Sequence, residues 1–180
     1  GSCRAWSVIV TLDNATGAAP DDSLRNVVAA CETALAVDPS LVEPRLQIGR
    51  TCTTGGQYRQ RRGLDPADAV DRALSEATAV LESDPTNLDG LLCAGTAWML
   101  RAEWAQDQAR EAGPALDRAV DSLQRAAALH PDQPEPLHLL GNALINRAED
   151  ERQKGRDPLP TMEAAVASFE RALQHPSAAV

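Results

Sequence analysis

The sequence predicts an all-α fold of consecutive antiparallel helix pairs, and three observations support this prediction. Asp-Pro or His-Pro steps recur at intervals of 46, 46 and 45 residues, at Pro39, Pro85, Pro131 and Pro176. Glycines recur 46 residues apart in the same register, at Gly49, Gly95 and Gly141. Between these marks the apolar residues follow a helical spacing, and 32 alanines accompany only five aromatic residues. Such small side chains suit a core in which helices pack closely on helices.

Each period contains two predicted helices separated by a break, which we call the first-type and the second-type helix of a repeat. The first-type helices are predicted over 41–62, 87–110 and 135–154. The second-type helices are predicted over 21–37, 67–82, 115–129 and 161–174. Gly113-Pro114 is expected to end one helix and open the next, because glycine tolerates the final turn of a helix and proline fits the first helical position.

We expect one helical repeat domain over residues 3–180, as a fragment of a larger protein. It comprises a partial repeat over 3–39 and repeats over 40–85, 86–131 and 132–176. Residues 1–2, Gly-Ser, resemble the scar of a cleaved tag and are set aside. Residues 8–10 are assigned to a truncated first-type helix, with an N-terminal strand as the alternative. A steric need for glycine at a close helix crossing explains the glycine spacing, since glycine costs about 1 kcal/mol in a helix interior.

Charge and cysteine spacing exclude several classes of protein. The formal charge is −9, and an acidic chain gains no general attraction to nucleic acid or to anionic lipid. No apolar run is long enough to cross a membrane. The four cysteines show no C-x-x-C spacing, which predicts neither a zinc site nor a disulfide framework and favours a reducing, cytoplasmic compartment. A lipidated Cys3, and so an envelope-anchored protein, is the alternative.

The repeat resembles the tetratricopeptide repeat (TPR) over about residues 21 to 176. Residues 31–39 and 169–173 are similar to the end of that repeat's second helix, and Leu91, Gly95 and Trp98 match the large, glycine and aromatic positions of its first helix. The usual repeat has ~34 residues, so this sequence resembles a long variant whose extra residues extend both helices around their turn. Similar long repeats follow the kinase domain in bacterial serine/threonine protein kinases. The resemblance implies an α-solenoid forming a right-handed superhelix.

The resemblance also implies a function: a non-catalytic scaffold that binds a peptide or a partner helix in a concave groove lined by first-type helices. Such a scaffold would be a regulatory module of a larger bacterial signalling protein, for example a serine/threonine kinase. Two alternatives remain open, a structural module that self-associates through its end helices and a TPR lipoprotein of the cell envelope. The positions that resemble the family's groove, here called the groove set, are Glu43, Leu46, Arg50, Thr53, Thr54, Asp89, Thr96, Met99, Leu100, His138, Asn142 and Asn146.

No motif predicts a catalytic residue, a cofactor or a metal site. His130 and His175 occupy the repeat-end position that aspartate fills in earlier repeats, which indicates turn residues, and His138 has no second ligand near it in sequence. Cys31 and Cys52 are expected to be buried free thiols. An arginine cluster ends the first predicted first-type helix, and it either stabilises the helix C-terminus or recognises an anion. The arginines of this cluster are Arg59, Arg61 and Arg62.

Overall fold

A computed structural model describes residues 21–174, with the side chains of 21–23 left aside. Within this range the chain forms seven helices and no strand, which confirms the all-α prediction. The expectations for residues 3–20, including the helix or strand at 8–10, lie outside the described residues. The helices are α1 Asp21–Val37, α2 Val42–Arg61, α3 Ala67–Ser83, α4 Leu88–Asp107, α5 Gly113–Leu129, α6 Pro134–Gln153 and α7 Leu159–Leu173.

The helix bounds follow the predicted period. The first-type helices α2, α4 and α6 each have 20 residues, which corresponds to about 30 Å of helix. The second-type helices α1, α3 and α5 have 17 residues each, and α7 has 15. Extra residues in a repeat of this length therefore lie in the helices themselves, as the sequence predicts.

The repeated glycines lie where side chains of other helices come closest. A Cβ atom on Gly95 would lie 2.6 Å from Leu123 Cγ, and one on Gly141 would lie 2.6 Å from Phe169 Cε1. At Gly49 the nearest atom is Sγ of Cys93, at 2.5 Å. Real Cβ atoms do not come so close to other heavy atoms, so the steric explanation of the glycine spacing is confirmed.

The chain divides into two compact units, one ending at Cys93 and the other beginning at Ala94. In the first unit α2 packs on α1 and α3, around a buried cluster of Val27, Cys31 and Ile48. In the second unit α6 packs on α5 and α7, and Leu137 of α6 joins Ala127 and Ala172 in one cluster. Within each unit, consecutive helices therefore bury their apolar faces against each other.

An ion-pair network connects helices α1, α2 and α3 in the first unit. Glu76 of α3 has a side chain only 7% exposed, and it accepts from Arg45 of α2 and from Arg72 of its own helix, each at 3.0 Å. Arg72 also pairs with Glu32 of α1 at 3.0 Å. Arg45 donates further to the carbonyl oxygen of Pro39 at 3.0 Å. A buried carboxylate with two guanidinium partners is satisfied at both oxygens.

The turn after each first-type helix has the same backbone structure. Gly63, Ala109 and Gly155 have φ values of 70°, 51° and 68° and lie 46 residues apart. The residue after each donates its amide to a carbonyl five residues earlier, for example Arg110 N to Ala105 O at 2.7 Å, which is the Schellman pattern that ends a helix. The prediction that Gly113 ends α4 is therefore wrong: Ala109 makes that turn, and Gly113 begins α5.

The cysteines correct a second prediction. Cys31 is disulfide-bonded, although the spacing of the cysteines predicts no disulfide and a buried free thiol at this position. Cys52 and Cys93 are free.

Candidate functional site

The groove set lies on first-type helices, but its members differ in exposure. Leu46, Thr53 and Leu100 are 3%, 7% and 1% exposed, so they belong to the core and offer no surface to a partner. Thr53 Oγ1 donates to the carbonyl oxygen of Gly49 at 3.0 Å, within its own helix. The accessible part of the set consists of Glu43, Arg50, Thr54, Asp89, Thr96, Met99, His138, Asn142 and Asn146.

In the first unit, an exposed ion pair joins two first-type helices. Arg50 Nη2 of α2 lies 2.7 Å from Asp89 Oδ1 at the start of α4, and the two side chains are 43% and 52% exposed. Glu43 lies seven residues before Arg50 and Thr54 lies four after it, so all three share one helix face. The structure therefore brings four members of the groove set to one accessible, mainly polar surface.

In the second unit, hydrogen bonds among Glu103, Gln106 and Asn146, here called the clasp, join α4 and α6. Asn146 Nδ2 donates to Glu103 Oε1 at 2.9 Å, and Gln106 Nε2 donates to the Asn146 carbonyl oxygen at 3.4 Å. Burial raises the pKa of Glu103, against the opposing effect of the Asn146 hydrogen bond. Met99 and Asn142, each four residues before a member of the clasp, place an apolar and an amide group beside it.

Sequence reasoning missed Glu103 and Gln106 as part of this surface. Glu103 is four residues after Met99 and seven after Thr96, so the helical period of α4 contains the signal that would have included it. Gln106 follows by three residues. Neither matches a groove position of the repeat family in sequence, because these residues lie in the extension that makes this repeat long.

His138 lies at a separate position, in contact with the last helix. Its ring packs edge-on against Phe169, with 5.6 Å between the ring centroids. The two rings border an open, mainly apolar cleft of about 550 Å³, whose other walls are Pro134, Glu135, Ala172 and Leu173. His138 therefore borders an apolar cleft between α6 and α7, apart from the polar clasp.

The arginine cluster at the end of α2 is engaged locally. Arg59 Nε donates to the carbonyl oxygen of Asp65 at 2.8 Å, and the Arg62 guanidinium lies 5.2 Å from the centre of the Tyr58 ring. Both contacts fasten the turn that follows the helix. These contacts favour the interpretation that the cluster stabilises the helix C-terminus.

The repeat-end histidine at 130 has the backbone hydrogen bonds of its aspartate counterparts. His130 N donates to Ala126 O at 3.0 Å, as Asp84 N donates to Val80 O at 2.9 Å. Asp84 adds a side-chain contribution, since its Oδ1 accepts from Thr86 N and Oγ1 at 3.0 and 2.7 Å. The interpretation of His130 as a turn residue thus rests on shared backbone geometry, and His175 lies outside the described residues.

The thiols of Cys52 and Cys93 are poorly suited to act as nucleophiles. Burial raises the pKa of Cys52 to about 11 and that of Cys93 to about 12, so both thiols are protonated near neutral pH. Between residues 21 and 174 no group of three histidine, cysteine or acidic side chains is arranged to hold a metal ion. None of the helices in that range combines the length and apolarity needed to cross a bilayer.

Comparison with known proteins supports the fold. No protein-family model matches the sequence, and no curated protein matches it. A solved structure of TTC0263, a thermophilic TPR protein of Thermus thermophilus, is similar at 16% identity and a TM-score of 0.50, over 98% of this chain and 92% of that one. The chain therefore has a TPR-like fold.

Two solved structures of MamA show weaker similarity, each at 18% identity over 88% of this chain. The one named MamA MSR-1 C2 has a TM-score of 0.45 and is covered over 70% of its own chain. The other has a TM-score of 0.42 and is covered over 91%.

Proposed function

We propose that the chain is a non-catalytic protein-interaction scaffold that binds an extended peptide or a partner helix along its first-type helices. One observation carries the proposal: in each compact unit a polar pair beside other groove-set residues joins two first-type helices, and the pair is exposed in the first unit and partly buried in the second. The pairs are Arg50–Asp89 at 2.7 Å and Glu103–Asn146 at 2.9 Å. Side chains of this kind can exchange an intramolecular hydrogen bond for one with a peptide backbone or side chain.

Binding rather than turnover is the better account of these surfaces. A catalytic centre needs a nucleophile or a general acid or base whose pKa suits its task. The two free thiols have pKa values raised to about 11 and 12, which keeps them in the unreactive form. The raised pKa of Glu103 follows from burial beside an amide partner, as expected for a group that holds two helices together.

The proposal extends to context through the repeat length. Helix pairs of 20 and 17 residues are similar to the long repeats that follow the kinase domain in bacterial serine/threonine kinases. We place the chain in such a regulatory region of a larger signalling protein in the cytoplasm. The alternative is a scaffold anchored to the cell envelope.

Selection from a random peptide library, followed by affinity measurements, tests the binding function. Arg50→Glu and Asn142→Ala should each weaken a selected peptide about tenfold, because each removes a polar contact at the accessible surface. The matched control is Arg125→Glu, a charge reversal at an exposed position of the second-type helix α5, which should leave affinity unchanged. Equal affinities for all three variants, or no enriched peptide, would overturn the proposal.

A further inference from the structure

A second cleft, here called the α5–α7 cleft, lies between two second-type helices of the second unit. It has a volume of about 350 Å³ and a mainly apolar wall, to which α5 contributes Ala127 and α7 contributes Ala164 and Ala167. Leu140 and Leu144 of α6 also line it and are only 7% and 6% exposed. Because both α7 alanines are exposed, the cleft is open to solvent.

The preceding repeat has larger side chains at two of the positions that line this cleft. Leu144 stands 46 residues after Trp98. Ala164 stands 46 residues after Arg118, whose guanidinium lies 5.9 Å from the centre of the Trp98 ring. An indole and a cation therefore pack together at these positions of the second repeat, whereas the third repeat has leucine and alanine there. An aromatic ring is the group that this part of the repeat accommodates.

This side of a second-type helix is one that the following helices leave open. Asp121 and Arg125 of α5 stand 46 residues before Ala167 and Arg171 of α7. Their side chains are 67% and 47% exposed, although the helix pair α6 and α7 follows α5. Further repeats after α7 are therefore expected to leave the cleft open as well.

Arg171 gives the cleft a positive charge at its border. At the equivalent position of α5, Arg125 lies 4.0 Å from Asp121, one helical turn earlier. Alanine at 167 removes this carboxylate from Arg171, and within residues 21–174 no other ion pair of Arg171 replaces it. A guanidinium beside an apolar cleft suits a ligand that carries a carboxylate next to an apolar group.

We propose that the α5–α7 cleft binds a peptide segment of a partner protein. An aromatic side chain of the segment enters between the helices, and a neighbouring glutamate or aspartate pairs with Arg171. The cleft shares no residue with the groove set, so the inference does not depend on binding along the first-type helices.

The test probe is the peptide acetyl-Gly-Glu-Trp-Glu-Gly-amide, titrated into the full 180-residue chain and followed by NMR of labelled leucine methyl groups. Saturable shifts are expected at Leu140 and Leu144, with a Kd of about 0.1–1 mM. Alanine in place of the tryptophan should weaken binding at least about tenfold. Glutamine in place of both glutamates should weaken it about two- to fivefold. General repulsion by a chain of charge −9 would have the opposite effect, so a preference for glutamate reports a local cation.

Two variants test the position of the peptide. Arg171→Gln should reduce the affinity of the glutamate peptide to that of the glutamine peptide and leave the latter unchanged. Ala167→Leu places a larger side chain in the cleft and should weaken both peptides about tenfold. The matched control is Arg156→Gln, which replaces an exposed arginine before α7 and should change neither affinity.

Three results of the titrations would overturn the proposal: no saturation below about 5 mM, equal affinities of the glutamate and glutamine peptides, or the same loss in Arg156→Gln as in Arg171→Gln. Light scattering that shows a concentration-dependent dimer abolished by Ala167→Leu would also overturn it, since the occupant would then be a second copy. So would tighter peptide binding after deletion of residues 175–180, since the chain itself would then cover the cleft.

Discussion

Replacing Ala109 with glycine should stabilise the unit that begins at Ala94. Ala109 has a φ of 51°, where the Cβ of an L residue lies too close to the following carbonyl oxygen. Gly63 and Gly155 occupy the same position of the flanking repeats, and a Cβ built on either would meet nothing within 4 Å. Glycine is favoured at this position by backbone conformation, not by lack of space.

The size of the gain follows from two opposing terms. A left-handed conformation costs a non-glycine residue about 1–2 kcal/mol. The greater freedom of glycine in the unfolded chain offsets about 0.5–1 kcal/mol of that. Ala109→Gly should therefore raise the free energy of unfolding by about 0.5–1 kcal/mol, or the melting temperature by about 2–8 °C for a unit of this size.

Urea unfolding followed by tryptophan fluorescence provides the assay, in a Trp6→Phe background. The remaining tryptophans, Trp98 and Trp104, lie in the same unit as Ala109. Gly155→Ala is the matched control and should lower the free energy of unfolding by the same amount, since it creates the strain that Ala109 already carries. The reasoning fails if Ala109→Gly leaves stability unchanged or lowers it while Gly155→Ala shows its expected cost.

Three further predictions concern packing, charge and pH. Gly95→Leu should destabilise its unit by about 1–3 kcal/mol, because even a Cβ would lie 2.6 Å from Leu123 Cγ. In urea titration, adding Leu123→Ala to this variant should restore part of the lost stability. Full stability of the Gly95→Leu variant alone would contradict the steric argument. Glu76→Ala should cost about 2 kcal/mol in urea unfolding followed by circular dichroism, since it removes the buried carboxylate that pairs with Arg45 and Arg72, and a cost near zero would show that the network contributes nothing. Donation from the Ser40 hydroxyl, and then from its amide, holds the pKa of Asp38 below 3.8, so its stabilisation is present above that pH and is lost as pH falls through the lowered pKa. Carbon-13 NMR titration should show this pKa rising in Ser40→Ala, and an unchanged value would exclude the hydroxyl as the cause.

The fold was predictable because its signals are local and repeat. Helix periodicity, proline at helix starts and glycine in register depend on residues close in sequence, and helices α1 to α7 begin within two residues of their predicted starts. Gly63 and Gly155 lie two repeat periods apart, and each marks the left-handed turn that follows a first-type helix. Alanine at 109 hid the middle turn, because alanine is an ordinary helix residue with no preference for that conformation.

The sequence by itself determined the order, length and pairing of the helices, since each follows from the chemistry of short segments. Tertiary structure alone decided which groove-set residues remain accessible, because exposure depends on the neighbouring helix and not on the residue's own period. Leu100 is buried and Met99 is not, although they are adjacent in sequence. The contacts between Arg50 and Asp89 and between Glu103 and Asn146 join residues some forty positions apart, and only the packed helices bring such residues together.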